Sequence, residues 1–170
     1  MRVTTAGLFT DSKAAGKAIA ELKGAGYAED ISVVAKDEVT GEITSEQVEQ
    51  SVADGATAGA VTGGIAGLLA GVLASLVSVA LPGVGTVLVA GPFVASWALT
   101  GGALGALTGG IVGALVDAGF DENKAKMFEE SILRGEVLVA VTSDADQQRE
   151  VLDVLEKHGV YGVDTIEIDA

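Results

Sequence analysis

The residues of this chain that could do chemistry are spaced in ways that argue against most reactions. His158 is the single histidine and there is no cysteine, which excludes a multi-histidine or thiolate metal site, a disulfide and a cysteine nucleophile. Beside Gly159, at the end of a helical pattern, His158 suits the negative helix terminus. Glu129-Glu130 and Asp144-x-Asp146 have the chemistry for weak divalent-cation binding, but solvated helix faces and helix caps explain them better. Gly83-x-Gly85 is a fragment of a phosphate loop, without the following Lys and Ser/Thr of a P-loop or the acidic residue of a dinucleotide fold. Ser75, Ser78 and Ser96 lie in apolar surroundings with no histidine in reach by sequence, so a hydrolase triad has no base. Trp97 and the few other aromatics make no platform for stacking bases. The expectation is a protein that is not an enzyme and uses no metal and no cofactor.

The informative spacing belongs to glycine. Gly55, Gly59, Gly63, Gly67 and Gly71 stand at every fourth position, as do Gly101, Gly105, Gly109 and Gly113. Residues four apart lie one above the other on a helix, so each set marks one bare side along which another backbone can approach closely. Each interior glycine costs about 1 kcal/mol of helix preference against alanine, so these nine forfeit on the order of 9 kcal/mol. Close packing, or a lipid setting that forbids non-helical backbone, has to offset that.

Both registers lie in Gly55–Val116, which contains no Asp, Glu, Lys, Arg or His. The chain as a whole carries a net charge of -14, yet its mean hydropathy is +0.47. Charge is thus segregated to the two ends around an apolar middle. So acidic a protein is a poor nucleic-acid binder, which needs clustered cations against phosphate, and is weakly drawn to anionic head groups. Residues Met1–Phe9 lack the long apolar core and cleavage site of a signal peptide, and Asp11, Ser12 and Lys13 follow at once; the ends are expected in the cytoplasm.

Outside the apolar middle the chain reads as alternating strands and helices. Val3–Phe9 is strand-like, and Asp11 can cap a helix with Ala15, Ala18, Ile19 and Leu22 on one face, stopped by Gly24 and Gly26. Ile31–Ala35 is a second strand, and Thr44 with Gln47 resembles a capping box for a short helix near 45–53. Asp121 can cap a helix with Ala125, Phe128 and Ile132 inward, closed by Gly135. Val137–Val141 has the continuous apolar run of a central strand buried on both faces. Asp144 starts a last helix with Val151, Val154 and Leu155 inward, and Asp164–Asp169 alternates like a charged edge strand.

This order predicts an α+β fold: a ferredoxin-like sandwich of four antiparallel strands with helices on one face, formed by 1–43 and 119–170. Residues 44–118 are an insert between its second and third strands, which are neighbours in that topology. The insert is expected to be a helical hairpin with arms about 55–81 and 93–116, joined through a turn marked by Pro82, Gly83, Gly85, Gly91 and Pro92. Either arm is long enough to cross a hydrocarbon core, and Phe93 and Trp97 are placed to sit at its interface.

Several stretches are similar to those of a known family: Ala6–Ala15, Gly24–Tyr27 leading into Asp30–Val34, the Gly-rich pair split by Leu81–Gly85, and Ser131–Val141. Together they resemble the bacterial and archaeal general-stress or low-temperature-induced proteins, over nearly the whole chain. That resemblance implies stress association and a membrane hairpin, and supplies no active site. The combined expectation is a non-enzymatic structural protein that anchors in a membrane, self-assembles through its glycine-lined helices, or does both. Its partners would be lipid and further copies of itself, with no nucleic acid. It would sit at the cell membrane with the α/β domain in the cytoplasm. The alternatives are a cytoplasmic, lipid-free homo-oligomer in the form of a layer, filament or shell, and a regulatory module that binds a small effector.

Overall fold

The computed structural model describes residues 1–36, 77–81, 85–92 and 102–168. Its elements run β1 (Arg2–Phe9), α1 (Ser12–Gly24), β2 (Ile31–Lys36), β3 (Val77–Leu81), β4 (Gly85–Ala90), α2 (Gly102–Asp117), α3 (Glu122–Leu133), β5 (Val137–Asp144), α4 (Gln148–Lys157) and β6 (Tyr161–Ile168). The class is α+β. Six strands form one sheet in the order β3-β4-β2-β5-β1-β6, antiparallel at every pairing. The short helix expected near 45–53 lies outside the described residues.

Local sequence accounts for the helices. Asp11 and Asp121 cap α1 and α3, accepting from the Lys13 and Asn123 amides at 3.0 and 2.9 Å. Each satisfies one of the amides that a helix start leaves without a partner. Asp144, expected to open the last helix, is instead the final residue of β5. Its carbonyl accepts from the Gln147 amide at 2.9 Å, and α4 begins without a side-chain cap. The four described helices end alike. Gly26, Gly119, Gly135 and Gly159 take positive φ, and the next residue donates back over the turn, as Phe120 does to Leu115 and Val160 to Leu155. These return bonds satisfy carbonyls that a helix end leaves without a partner.

The central strands show how the layers assemble. In β5, Val137, Val139 and Val141 enter one core, with Phe9, Ile19, Leu22, Ile31, Val33, Val151 and Leu155. Leu138 and Ala140 enter the other, with Leu8, Val34, Val87, Ile111, Leu115, Phe128 and Ile132. The strand is therefore buried on both sides, as its unbroken apolar run predicts. The expectation of helices on one face is corrected. Helices α1 and α4 cover one side of the sheet, while α3 and the second half of α2 cover the other. A strand apolar on both faces needs both faces shielded from water, so a single helix layer was never sufficient.

The apolar insert also differs from two uninterrupted helical arms. Val77–Leu81, assigned to the first arm, is a strand, and Gly85–Ala90, assigned to the turn, is its antiparallel partner. The hairpin extends the sheet, with Val33–Lys36 of β2 pairing Ala90–Val87 of β4. Valine recurs through both segments, and branching at Cβ favours the pleated surface over the helix.

Candidate functional site

The expected packing residues fall into three groups. Gly55, Gly59, Gly63, Gly67, Gly71, Gly101, Pro82, Gly83, Phe93 and Trp97 lie outside the described residues. Gly85 opens β4, and Gly91 and Pro92 follow its end. Gly105, Gly109 and Gly113 all lie in α2, but that helix is broken between them. Gly110 takes φ 63° and ψ -148°, a combination open essentially to glycine alone. Gly113 is thereby set off from the line through Gly105 and Gly109. The four-residue register does not run straight through the second arm.

The break has a partner. A new helical start exposes amides, and the Val112 amide donates to Glu129 Oε2 of α3 at 3.1 Å. Beyond the break, Ile111, Ala114 and Leu115 are buried against the sheet. Glu129, read from sequence as half of a carboxylate pair, is thus the cap of a second helix. Glu130, Asp144 and Asp146 are exposed. Among the described residues no group of three or more His, Asp or Glu side chains is arranged to hold a metal, and no helix is long and apolar enough to cross a membrane.

His158 proves to be a tie between helices. Its Nε2 lies 2.8 Å from Glu21 Oε2, and Lys157 Nζ donates to the same carboxylate at 2.9 and 3.0 Å, joining α4 to α1. The Lys157 hydrogen bond first, and the His158 contact second, hold the Glu21 carboxyl below its ordinary value of 4.5. A lowered carboxyl contributes stability that is complete above the unfolded-state value and is lost as pH falls through the folded one. The stability lead of the parent chain over Glu21→Gln is therefore expected to shrink on acidification below about 4.5. Melting curves of the two proteins across that range check it; a difference that does not vary with pH would contradict the tie.

Three further polar contacts have no signature in sequence, because each joins distant residues. Tyr27 is buried and its hydroxyl donates to Glu150 at 3.1 Å; burial first, and then this carboxylate, push the phenol pKa upward. Arg2 pairs with Asp30 at 2.6 Å. The Tyr161 hydroxyl donates to Glu136 and meets the buried Ser131 hydroxyl at 3.3 Å, while Arg134 donates to the same Ser131 at 2.9 Å. This last cluster locks the α3–β5 turn to β6, and its groups satisfy one another. None of these contacts sets a nucleophile beside a base.

What remains distinctive is the contrast between the two ends of the sheet. The outer strand β6 carries Asp164 and Glu167, charges that oppose pairing with another chain. At the other end, β3 and β4 carry no charged residue, and β3 has β4 as its neighbour among the described strands. A hairpin signal was present in sequence: two Val-rich runs around Pro82-Gly83-Val84. Comparison of the chain with protein-family models, curated proteins and solved structures finds no match.

Proposed function

We propose that this chain is a non-enzymatic, stress-associated structural protein whose acidic α+β domain carries an insert, uncharged over 55–116, for self-association and membrane attachment. The stress association follows from the family resemblance of its sequence. The observation that carries the rest is segregation of charge onto the fold. All charged side chains lie outside 55–116, in a protein of net charge -14, and the described part of that stretch returns to the domain at one end of its sheet. A surface free of charge is where copies of so acidic a protein meet with least repulsion.

The core is read as ferredoxin-like. The order β2-β5-β1-β6, with α1 between β1 and β2 and α4 between β5 and β6, supports that reading. The insert then leaves after β2 and re-enters before β5, two strands that pair directly. Attachment to lipid falls to residues 55–76 and 93–109. Residues 77–81 and 85–90 are committed to the sheet, and 111–117 belong to the helical half that packs on it.

Fractionation tests the proposal. Carbonate-washed membranes that release the protein only into detergent support attachment, and ordered particles in detergent-free buffer support lipid-free assembly. Exchanging Gly63 and Gly105 together for leucine is expected to reduce particle size on a sizing column, since each added side chain props the backbones apart. A detergent-independent particle of single-chain mass overturns the proposal.

A further inference from the structure

We infer that β3 is the contact strand of a two-fold dimer, in which it pairs antiparallel with β3 of a second copy of this chain and Val79 lies on the axis. The inference rests on the self-association part of the proposal above and names the surface that carries it.

Backbone chemistry supplies the first reason. A strand at the end of a sheet presents a row of N–H and C=O groups that another strand can pair. Among the described strands β3 has this position, in the order β3-β4-β2-β5-β1-β6. Its second strand neighbour would complete the ladder without any change in the rest of the fold.

Charge supplies the second reason, and it selects the occupant. At a net charge of -14, two copies repel wherever their acidic surfaces face each other. Val77–Leu81 and Gly85–Ala90 carry no charge, so approach at this end is least opposed. A different protein would have to supply a strand of matching character, whereas a second copy supplies one by construction. In antiparallel pairing about Val79, Ser78 stands opposite Ala80 of the second copy and Val77 opposite Leu81 of the second copy. Every facing pair is then uncharged.

The third reason is the guarded far end. With Asp164 and Glu167 on β6, β3 is the end of the described sheet that carries no charge. The same patch used by both partners closes on itself, which gives a discrete dimer and not a growing fibre. The β3 strand is also held at a fixed place on the domain. Five register pairs join it to β4, from Val77↔Val89 to Leu81↔Gly85, and β4 is paired to β2 in turn.

The chain has no cysteine, so an introduced one reports a single contact. Opposed residues of an antiparallel pair lie about 4.5–5.5 Å apart at Cα, within the roughly 4.4–6.8 Å that a disulfide spans. The full-length chain carrying Val79→Cys, oxidised with glutathione disulfide in the buffer that keeps it dispersed, is expected to run mainly as a linked dimer on a non-reducing gel. Ser78→Cys mixed with Ala80→Cys is expected to link more than either alone. Glu167→Cys, at the opposite end of the sheet, is expected to remain single.

A second pair of variants guards against misfolding. Ser78→Lys with Ala80→Lys sets like charges face to face and should dissociate the dimer, whereas Ser78→Lys with Ala80→Glu sets opposite charges face to face and should keep it. If Val79→Cys stays unlinked while the parent chain sizes as an oligomer, strand pairing is wrong and self-association stands. Equal linking at Val79 and Glu167 would also overturn the dimer, as random collision. A parent chain of single-chain mass overturns both.

Discussion

Alanine at Gly91 is expected to lower the unfolding free energy by about 2–5 kcal/mol, the sum of backbone strain and overpacking. Gly91 has φ 99°, and a Cβ built there would lie 2.1 Å from the Ile31 carbonyl oxygen and 2.5 Å from the Ser32 Cα. Both neighbours are backbone of β2 and cannot rotate away as a side-chain tip would. The strain is relieved only if the end of β4 lifts from β2, so the loss should concentrate at that seam. For a chain of this size, 1 kcal/mol moves the melting temperature by roughly 2–4 °C, which puts the shift on the order of 4–20 °C. Amide exchange should show lost protection in Val33–Lys36 and retained protection where β1 pairs β5. Gly16→Ala is the control. That glycine lies in α1 with open space around it, and alanine there is expected to gain about 0.5–1 kcal/mol. A Gly91→Ala protein that melts within about 1 °C of the parent would mean that the hairpin is not seated on β2 as described.

Truncation of Phe128 to alanine is the second large expected effect, about 3–5 kcal/mol. Phe128 is wholly buried on α3 and meets Phe120 edge-to-face, with centroids 5.6 Å apart and planes at 82°. Phe120 in turn follows the last turn of α2, where its amide donates to the Leu115 carbonyl. Removing the ring therefore opens a void shared by α2, α3 and the sheet, among Leu8, Ile132 and Leu138. Ile19→Ala makes the matching void on the opposite side, at about 2–5 kcal/mol. Because the sheet separates the two sites, their costs should add within about 0.5 kcal/mol. Denaturant unfolding of the two single variants and the double variant measures this. A Phe128→Ala loss under about 1 kcal/mol would mean that α3 does not close the second core.

The difference between those two cores also marks what sequence made legible. Helices α1, α3 and α4 and strand β6 were readable because polar residues alternate with apolar ones at a helical or strand period, and β1, β2 and β5 because each holds a short, uncharged, largely apolar run bounded by polar and turn residues. Ala15, Ala18, Ile19 and Leu22 recur at helix spacing and are the buried residues of α1. The β3–β4 hairpin was not readable in the same way. In Gly55–Val116 there is no charge to contrast with, so periodicity carries no signal, and the glycine register argued for helix throughout. Branched residues in Val77–Leu81 and Gly85–Ala90 were the available cue. Gly110 illustrates a second limit: it stands one residue beyond Gly109 of the stripe, and nothing local distinguishes a glycine that spaces helices from one that breaks them. The Glu21–His158 tie and the Glu129 cap span 137 and 17 residues and depend on how helices come to lie side by side, which no window of sequence contains.

The order of strands sets an order of events during synthesis. Both neighbours of β1 are made last: Arg2 pairs with Asp144 on one side and with Ile168 on the other. Strand β2 likewise waits for β5, with Ile31 opposite Val141. The ribosome therefore releases the whole water-averse middle before the acidic domain has a central strand to close around. For that interval the nascent segment has neither a finished sheet to dock on nor charge of its own, so whatever first shelters it, a bilayer or a chaperone, meets it ahead of the native domain. Delay in making the last third of the chain should lengthen that exposure.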